Sequence, residues 1–150
     1  LNLKNYTSTV PVEKTVARIE EMLGKFGAHS IAKEYMGGSV EAISFRLIAA
    51  GRYVDIRLPT NHEACFQALW KHVVRAKHGT RERIRDQARR TSWKLMEDWV
   101  HVQLSLIRMN QAEMLQVFMP YVWDGKQTFF QVVKANNFLA LPSPSKEKTS

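Results

Sequence analysis

The chain has 150 residues, 45% of them hydrophobic and 24% charged, with a net charge of +8. That size and mix suit one folded domain with its own core and exclude a chain disordered throughout. A lone cysteine, Cys65, excludes an internal disulfide, and no apolar run approaches the roughly twenty residues of a membrane span.

Residues 5–9 read as a short strand or lead-in. Val10-Pro11 then opens a helix, because proline at the first turn gives up an N–H that has no partner there anyway. Val12, Val16, Ile19, Met22, Leu23 and Phe26 recur at three- and four-residue spacing and give that helix one apolar face, and Gly27 ends it. Three strands follow, over 28–36, 40–49 and 53–58. Gly37-Gly38 is a tight-turn signal between the first two, and Gly51 marks the next turn. In the second strand Ile43, Phe45 and Leu47 share one side of the pleat, and Val40, Ala42, Ser44, Arg46 and Ile48 the other. The first half is therefore expected to be a helix packed on an antiparallel meander.

The second half reads as helical. Thr60 and Glu63 have the spacing of a capping box, and a helix is expected from 62 to about 75. The stretch 77–80 breaks the pattern. A long helix over 81–109 follows, then a cap at 110–113 and a short helix to 118. Pro120 stops that helix, Asp124-Gly125 is a turn, and a last short helix spans 127–135. The fold class is thus α+β: one helix on a three- to four-stranded antiparallel sheet, followed by a helical half dominated by one long helix. Residues 1–141 form the expected domain, with 142–150 a disordered tail by composition.

At 100° per residue, Ile84, Ala88, Thr91, Leu95, Val102 and Leu106 fall on one stripe of the long helix, expected to face the core. Arg81, Arg83, Arg85, Arg89, Arg90 and Lys94 occupy the opposite surface of its first half. Trp93, Met96, Trp99, Val100, Leu104 and Ile107 fill out the second half, which is expected to be buried all round. Asp98 lies at the edge of the stripe, where a buried carboxylate needs a partner: an arginine, a Trp N–H or a loop backbone.

Charge is concentrated in one place. Residues 71–94 hold nine basic side chains against two acidic ones, +7 of the chain's +8. Six of the nine are arginine, whose planar guanidinium matches phosphate geometry. The resulting expectation is a nucleic-acid-binding surface that grips the phosphate backbone of DNA or RNA through a helix-turn-helix-like segment. Arg75, Lys77, Arg81, Arg83, Arg85, Arg89, Arg90 and Lys94 would supply the contacts. Trp70, His78 and Trp93 lie nearby in sequence, and rings among bases can stack nucleobases. The alternative for the same residues is a solvated helix face with local pairs such as Glu82 with Arg85.

Chemistry is sparse. His62, Cys65 and His72 lack the spacing of a zinc site, and Cys65 beside Phe66 and Leu69 reads as a core thiol. Glu97, Asp98 and His101 lie close together on the long helix, but the matching half of a di-metal motif is missing. They stand as the candidates for an enzymatic reading, with Asp98 as an acid of raised pKa. Gly37-Gly38-Ser39 lacks the lysine and helix of a phosphate loop. No metal, cofactor or catalytic residue is assigned.

Residues 6–15 with the helix after them, 45–59, and 92–100 running on to 118–121 carry a resemblance. They are similar to a family of small uncharacterised proteins encoded in bacteriophage and prophage genomes. The resemblance supplies no site residues. It implies an accessory protein acting in the cytoplasm of a bacterial host, without a membrane. Such a protein binds nucleic acid, or binds and blocks a host defence factor, and an acidic host protein meeting the basic face is the second partner considered. A homo-oligomer is a third, drawn from the aromatic run of Phe118, Tyr121, Trp123, Phe129 and Phe130.

Overall fold

The computed structural model describes residues 3–73 and 75–145. Helix α1 (Val12–Phe26) has Pro11 before its first turn and Gly27 after its last. Gly27 takes φ 112°, and its N–H reaches back to the carbonyls of Leu23 and Gly24, so the helix ends where the glycine permits a left-handed turn. Strands β1 (Ser30–Met36), β2 (Ser39–Ala49) and β3 (Arg52–Pro59) form an antiparallel sheet in the order β1-β2-β3. Gly37 and Gly38 both lie at positive φ, 57° and 81°, which a two-residue hairpin of this hand requires. The chain returns to the sheet further on. Val122 bridges Ile56, and the Trp123 N–H donates to the Asp55 carbonyl at 2.8 Å, adding a single rung beside β3.

Ile43, Phe45, Leu47 and Ala49 of β2 and Val54, Ile56 and Leu58 of β3 turn inward onto Val16, Ile19 and Leu23 of α1. Val40 and Ala42 are buried as well, although the alternation puts them on the other side of the pleat. The strict two-residue period therefore does not hold along the whole of β2.

Helix α2 (His62–Trp70) is capped by Asn61, whose Oδ1 accepts from the Ala64 N–H at 3.0 Å. Thr60, expected to be the cap, instead ties the end of β3 back to β2. Its N–H and hydroxyl both donate to the Glu41 carbonyl, each at 3.1 Å. The helix stops at Trp70 rather than near 75. The His72 and Val73 N–H groups bond Leu69 and Trp70, three residues back, so the last turn tightens and ends.

Helix α3 (Thr80–Arg108) spans 29 residues, about 43 Å at 1.5 Å per residue. Its first half packs on α2 through Ala88 and Ile84 against Phe66 and Leu69. Its second half packs on α1 and the sheet through Trp93, Val100 and Leu104. The inward row is Trp93, Glu97, Val100 and Leu104, not Leu95, Val102 and Leu106. Val102 is 54% exposed, and His101 and Ser105 are exposed too, so this half is not buried all round. The neighbour changes from α2 to α1 and the sheet partway along, and the buried face swings with it.

Short α4 (Met114–Phe118) begins after Glu113, whose N–H donates to Gln116 Oε1. Asn110, expected in that cap, belongs to the end of α3. It sits at φ 57°, and its N–H returns to the Ile107 carbonyl. Helix α5 (Phe129–Ala135) carries a reciprocal cap: Thr128 Oγ1 accepts from the Gln131 N–H, and Gln131 Oε1 from the Thr128 N–H. Residues 142–145 are exposed without helix or strand, and the rest of the expected tail lies outside the described residues.

Residues 5–9 form no strand. The chain turns through Asn5 at φ 65° and is strapped to α3. Thr91 Oγ1 donates to the Asn5 carbonyl at 3.0 Å, and Gln87 Nε2 and Arg90 Nε donate to the Ser8 carbonyl at 2.9 and 3.1 Å.

Candidate nucleic-acid interface

The eight cationic residues expected to grip phosphate fall into two groups. Arg85, Arg89, Arg90 and Lys94 are engaged within the fold. Arg85 Nη1 pairs with Glu63 at 2.7 Å, which together with Gln67 holds the Glu63 carboxyl below its usual range. The pair Glu82 with Arg85 is not formed, because α2 presents Glu63 in a better place. Arg89 pairs with Asp86 at 3.0 Å. Arg90 bonds Ser8 and Gln87 in the strap. Lys94 bonds Glu97 and lies 3.7 Å from Asp98.

Arg75, Lys77, Arg81 and Arg83 are exposed, and so is Lys71 just before them. None of these five forms a salt bridge or a side-chain hydrogen bond to another described residue. They occupy the end of α2, the turn that follows and the first turn of α3. Gly79 at φ 82° starts α3, and Thr80 Oγ1, 7% exposed with its residue, accepts from the Lys77 N–H at 2.9 Å and shapes the turn. His72 and His78 are exposed in the same stretch. Between 71 and 83 the sequence holds one acid, Glu82, so the free cations face little compensation.

Two aromatic residues of α2 stand beside this turn. Phe66 and Trp70 stack with centroids 5.7 Å apart and planes 24° apart. The Arg81 guanidinium lies 5.2 Å from the Phe66 centroid and 5.4 Å from that of Trp70, while Arg85 lies 4.1 Å from Phe66. Trp93, the other indole close in sequence, is sealed in the core. It is 0% exposed, and its Nε1 donates to the Val40 carbonyl at 3.1 Å.

Asp98, expected at the edge of the core, is not the buried carboxylate of α3. Glu97 is the buried one, 7% exposed, held by Lys94 and by Arg18 of α1 at 3.7 Å. Asp98 is partly exposed and bonded by Asn5 Nδ2 at 2.8 Å, with Lys4 at 3.4 Å. Burial pushes its carboxyl up, but the Asn5 amide, Lys4 and Lys94 outweigh burial and leave it below the ordinary value. A general acid of raised pKa is therefore not what this residue is. Glu97, Asp98 and His101 do line a common cleft of about 450 Å³ between α1 and α3, together with Arg18 and Lys94. Each carboxylate there already has a cation beside it, as expected of ionised groups in a structural network.

Cys65 is half-buried against the second core, and burial pushes its thiol up, away from thiolate chemistry. Among the described residues, no three His, Cys, Asp or Glu side chains gather in a way that holds a metal ion, and no helix is long and apolar enough to cross a membrane.

No family model, curated protein or solved structure matches this chain.

The sequence does not sort the cations: Glu63 reads there as a capping-box residue, and its pairing with Arg85 depends on how α2 lies against α3.

Proposed function

We propose that the protein binds nucleic acid without catalysis, gripping the phosphate backbone with the turn between α2 and α3. The observation that carries this reading is the set of five exposed cations, Lys71, Arg75, Lys77, Arg81 and Arg83, left without an acidic partner among the described residues. Arg85, Arg89, Arg90 and Lys94 are engaged within the fold and are not counted among the ligand contacts. In the phage context that the sequence resembles, the ligand would be met in a bacterial cytoplasm.

The test is fluorescence anisotropy with single-stranded DNA, duplex DNA and RNA across a salt series. Neutralising up to five phosphates gives a log–log salt slope of about −3.5 on a single strand and about −4.5 on a duplex. Arg83→Ala should make that slope shallower by just under ~1. Absence of binding to all three ligands at low salt would sink the proposal.

A second reading, an interaction protein that binds or inhibits a host factor, draws on a different surface. Helix α5 has no buried residue, and Phe129, Phe130 and Phe138 are 44%, 50% and 39% exposed around it. Aromatic side chains in that state favour contact with protein.

A further inference from the structure

Resting on the nucleic-acid reading, we infer that the ligand is single-stranded, with an unpaired base stacked on Trp70 and the adjoining phosphates held by Arg81 and the cations of the turn. Trp70 is the last residue of α2, directly before Lys71, and keeps part of its surface in solvent. Phe66 packs against the indole and orders it before any ligand arrives, and Arg81, which lies over the ring, uncovers it for a base when its guanidinium turns to a phosphate. A ring already ordered by its neighbours loses little freedom when a base stacks on it, so more of the stacking energy appears as affinity.

Arg81 differs from Arg85 and Arg89 in what holds it. Those two are fixed by Glu63 and Asp86, whereas Arg81 is positioned by two aromatic faces and by no carboxylate among the described residues. Its charge is not neutralised, and its N–H groups remain available to a phosphate. Stacked ring, free guanidinium and exposed turn thus adjoin one another within residues 70–83.

A duplex fits this end of the molecule less well. Its bases are stacked on one another and closed to the indole. A major-groove approach along the first turns of α3 would bring exposed Glu82 and Asp86 against phosphates, while the Arg85 and Arg89 row is engaged with α2 and Asp86. An unpaired strand can meet the turn alone.

The experiment compares a labelled oligothymidylate, its RNA counterpart and a mixed-sequence duplex at one salt concentration, using the whole chain and its Trp70→Ala, Trp70→Phe and Arg83→Ala variants. Single strands should bind more tightly than the duplex. Trp70→Ala should lose about tenfold on single strands and nothing on the duplex, while Arg83→Ala weakens both. Trp70→Phe, which keeps a ring in the second core, should bind nearly as well as the parent. The indole emission quenched by single strands in the parent should no longer respond in this variant. If Trp70→Ala fails to fold, the quenching in the parent and its absence in Trp70→Phe decide the matter. Equal affinity for duplex and single strand, or quenching that survives Trp70→Phe, would overturn the single-strand inference and leave phosphate binding standing. No binding to any ligand would overturn both. Comparison of the DNA and RNA arms identifies which unpaired strand is preferred.

Discussion

The guanidinium of Arg85 lies 4.1 Å from the centre of the Phe66 ring while its Nη1 pairs with Glu63 at 2.7 Å. Phe66 is 1% exposed, so Arg85 serves as the polar lid of the second core, joining α3 to α2 by charge and by stacking. Its neighbour Arg83, two residues earlier, is exposed and has no such role. The two arginines should therefore separate on substitution. Arg85→Ala is expected to destabilise the fold by about 1–2 kcal/mol through the lost ring contact and pair, with a minor effect on ligand affinity once folded. Arg83→Ala should leave urea unfolding within ~0.5 kcal/mol of the parent and weaken nucleic-acid binding. Paired unfolding curves and anisotropy titrations check this, and the reverse pattern would mean the cations have been assigned to the wrong group.

Glu97 is buried with Lys94 and Arg18 as its counter-charges. Removing the carboxylate leaves Lys94 with Asp98 alone, 3.7 Å away, while the exposed Arg18 turns to solvent. Glu97→Ala should cost about 1–2 kcal/mol. Adding Lys94→Met to that variant should cost less than the two single effects summed, since the carboxylate that this ammonium bonds is already gone. Chemical denaturation of the single and double variants measures the coupling, and a double variant as unstable as the sum of the singles would refute it.

These relationships also mark where local sequence signals stop. Helix α1 was legible at both ends, with Pro11 standing just before the first turn rather than in it, because Pro11 and Gly27 act on their own backbone, and the β1–β2 turn because two adjacent glycines permit positive φ. Long α3 was legible as a helix but not in its facing. The helical wheel puts Val102 on the core stripe and Asp98 at its edge, whereas the fold exposes Val102 and buries Glu97, for which Lys94 and, from another helix, Arg18 are available. The same holds for the site. The density of cations over 71–94 is written in the sequence, but which of them are free depends in part on Glu63 and Ser8, residues that come close only when α2 and the N-terminal strap dock on α3.

Asp98 makes the strap sensitive to acid. Its carboxyl is depressed on folding by Asn5, Lys4 and Lys94, net of a burial effect in the other direction. A depressed carboxylate contributes stability above its unfolded pKa of about 3.9, and that contribution is lost as pH falls through the folded value. Asp98→Asn should therefore lower stability at neutral pH by at most ~1 kcal/mol, given its partial exposure. The gap between parent and variant should close as pH drops below about 4. Thermal melts of both proteins at pH 7 and pH 3 test the sign, and a gap that widens in acid would contradict it.

Trp93 is the pin between α3 and the sheet. It is fully buried, and its Nε1 donates to the Val40 carbonyl at 3.1 Å, across 53 residues of sequence. Trp93→Phe keeps most of the apolar volume but removes the donor, leaving a buried carbonyl unpaired beside a small void. The expected cost is about 2–3 kcal/mol. Trp93→Ala should cost about 3–5 kcal/mol, a large share of the stability of a domain this size. The phenylalanine variant is the informative one, because it separates the hydrogen bond from the packing. Unfolding should show a lower midpoint with an unchanged denaturant slope. Nucleic-acid binding by the folded fraction should be unaffected, since the free cations of the α2–α3 turn do not depend on this bond. A binding defect larger than the unfolded fraction explains would show that the sheet, through Trp93, positions the turn.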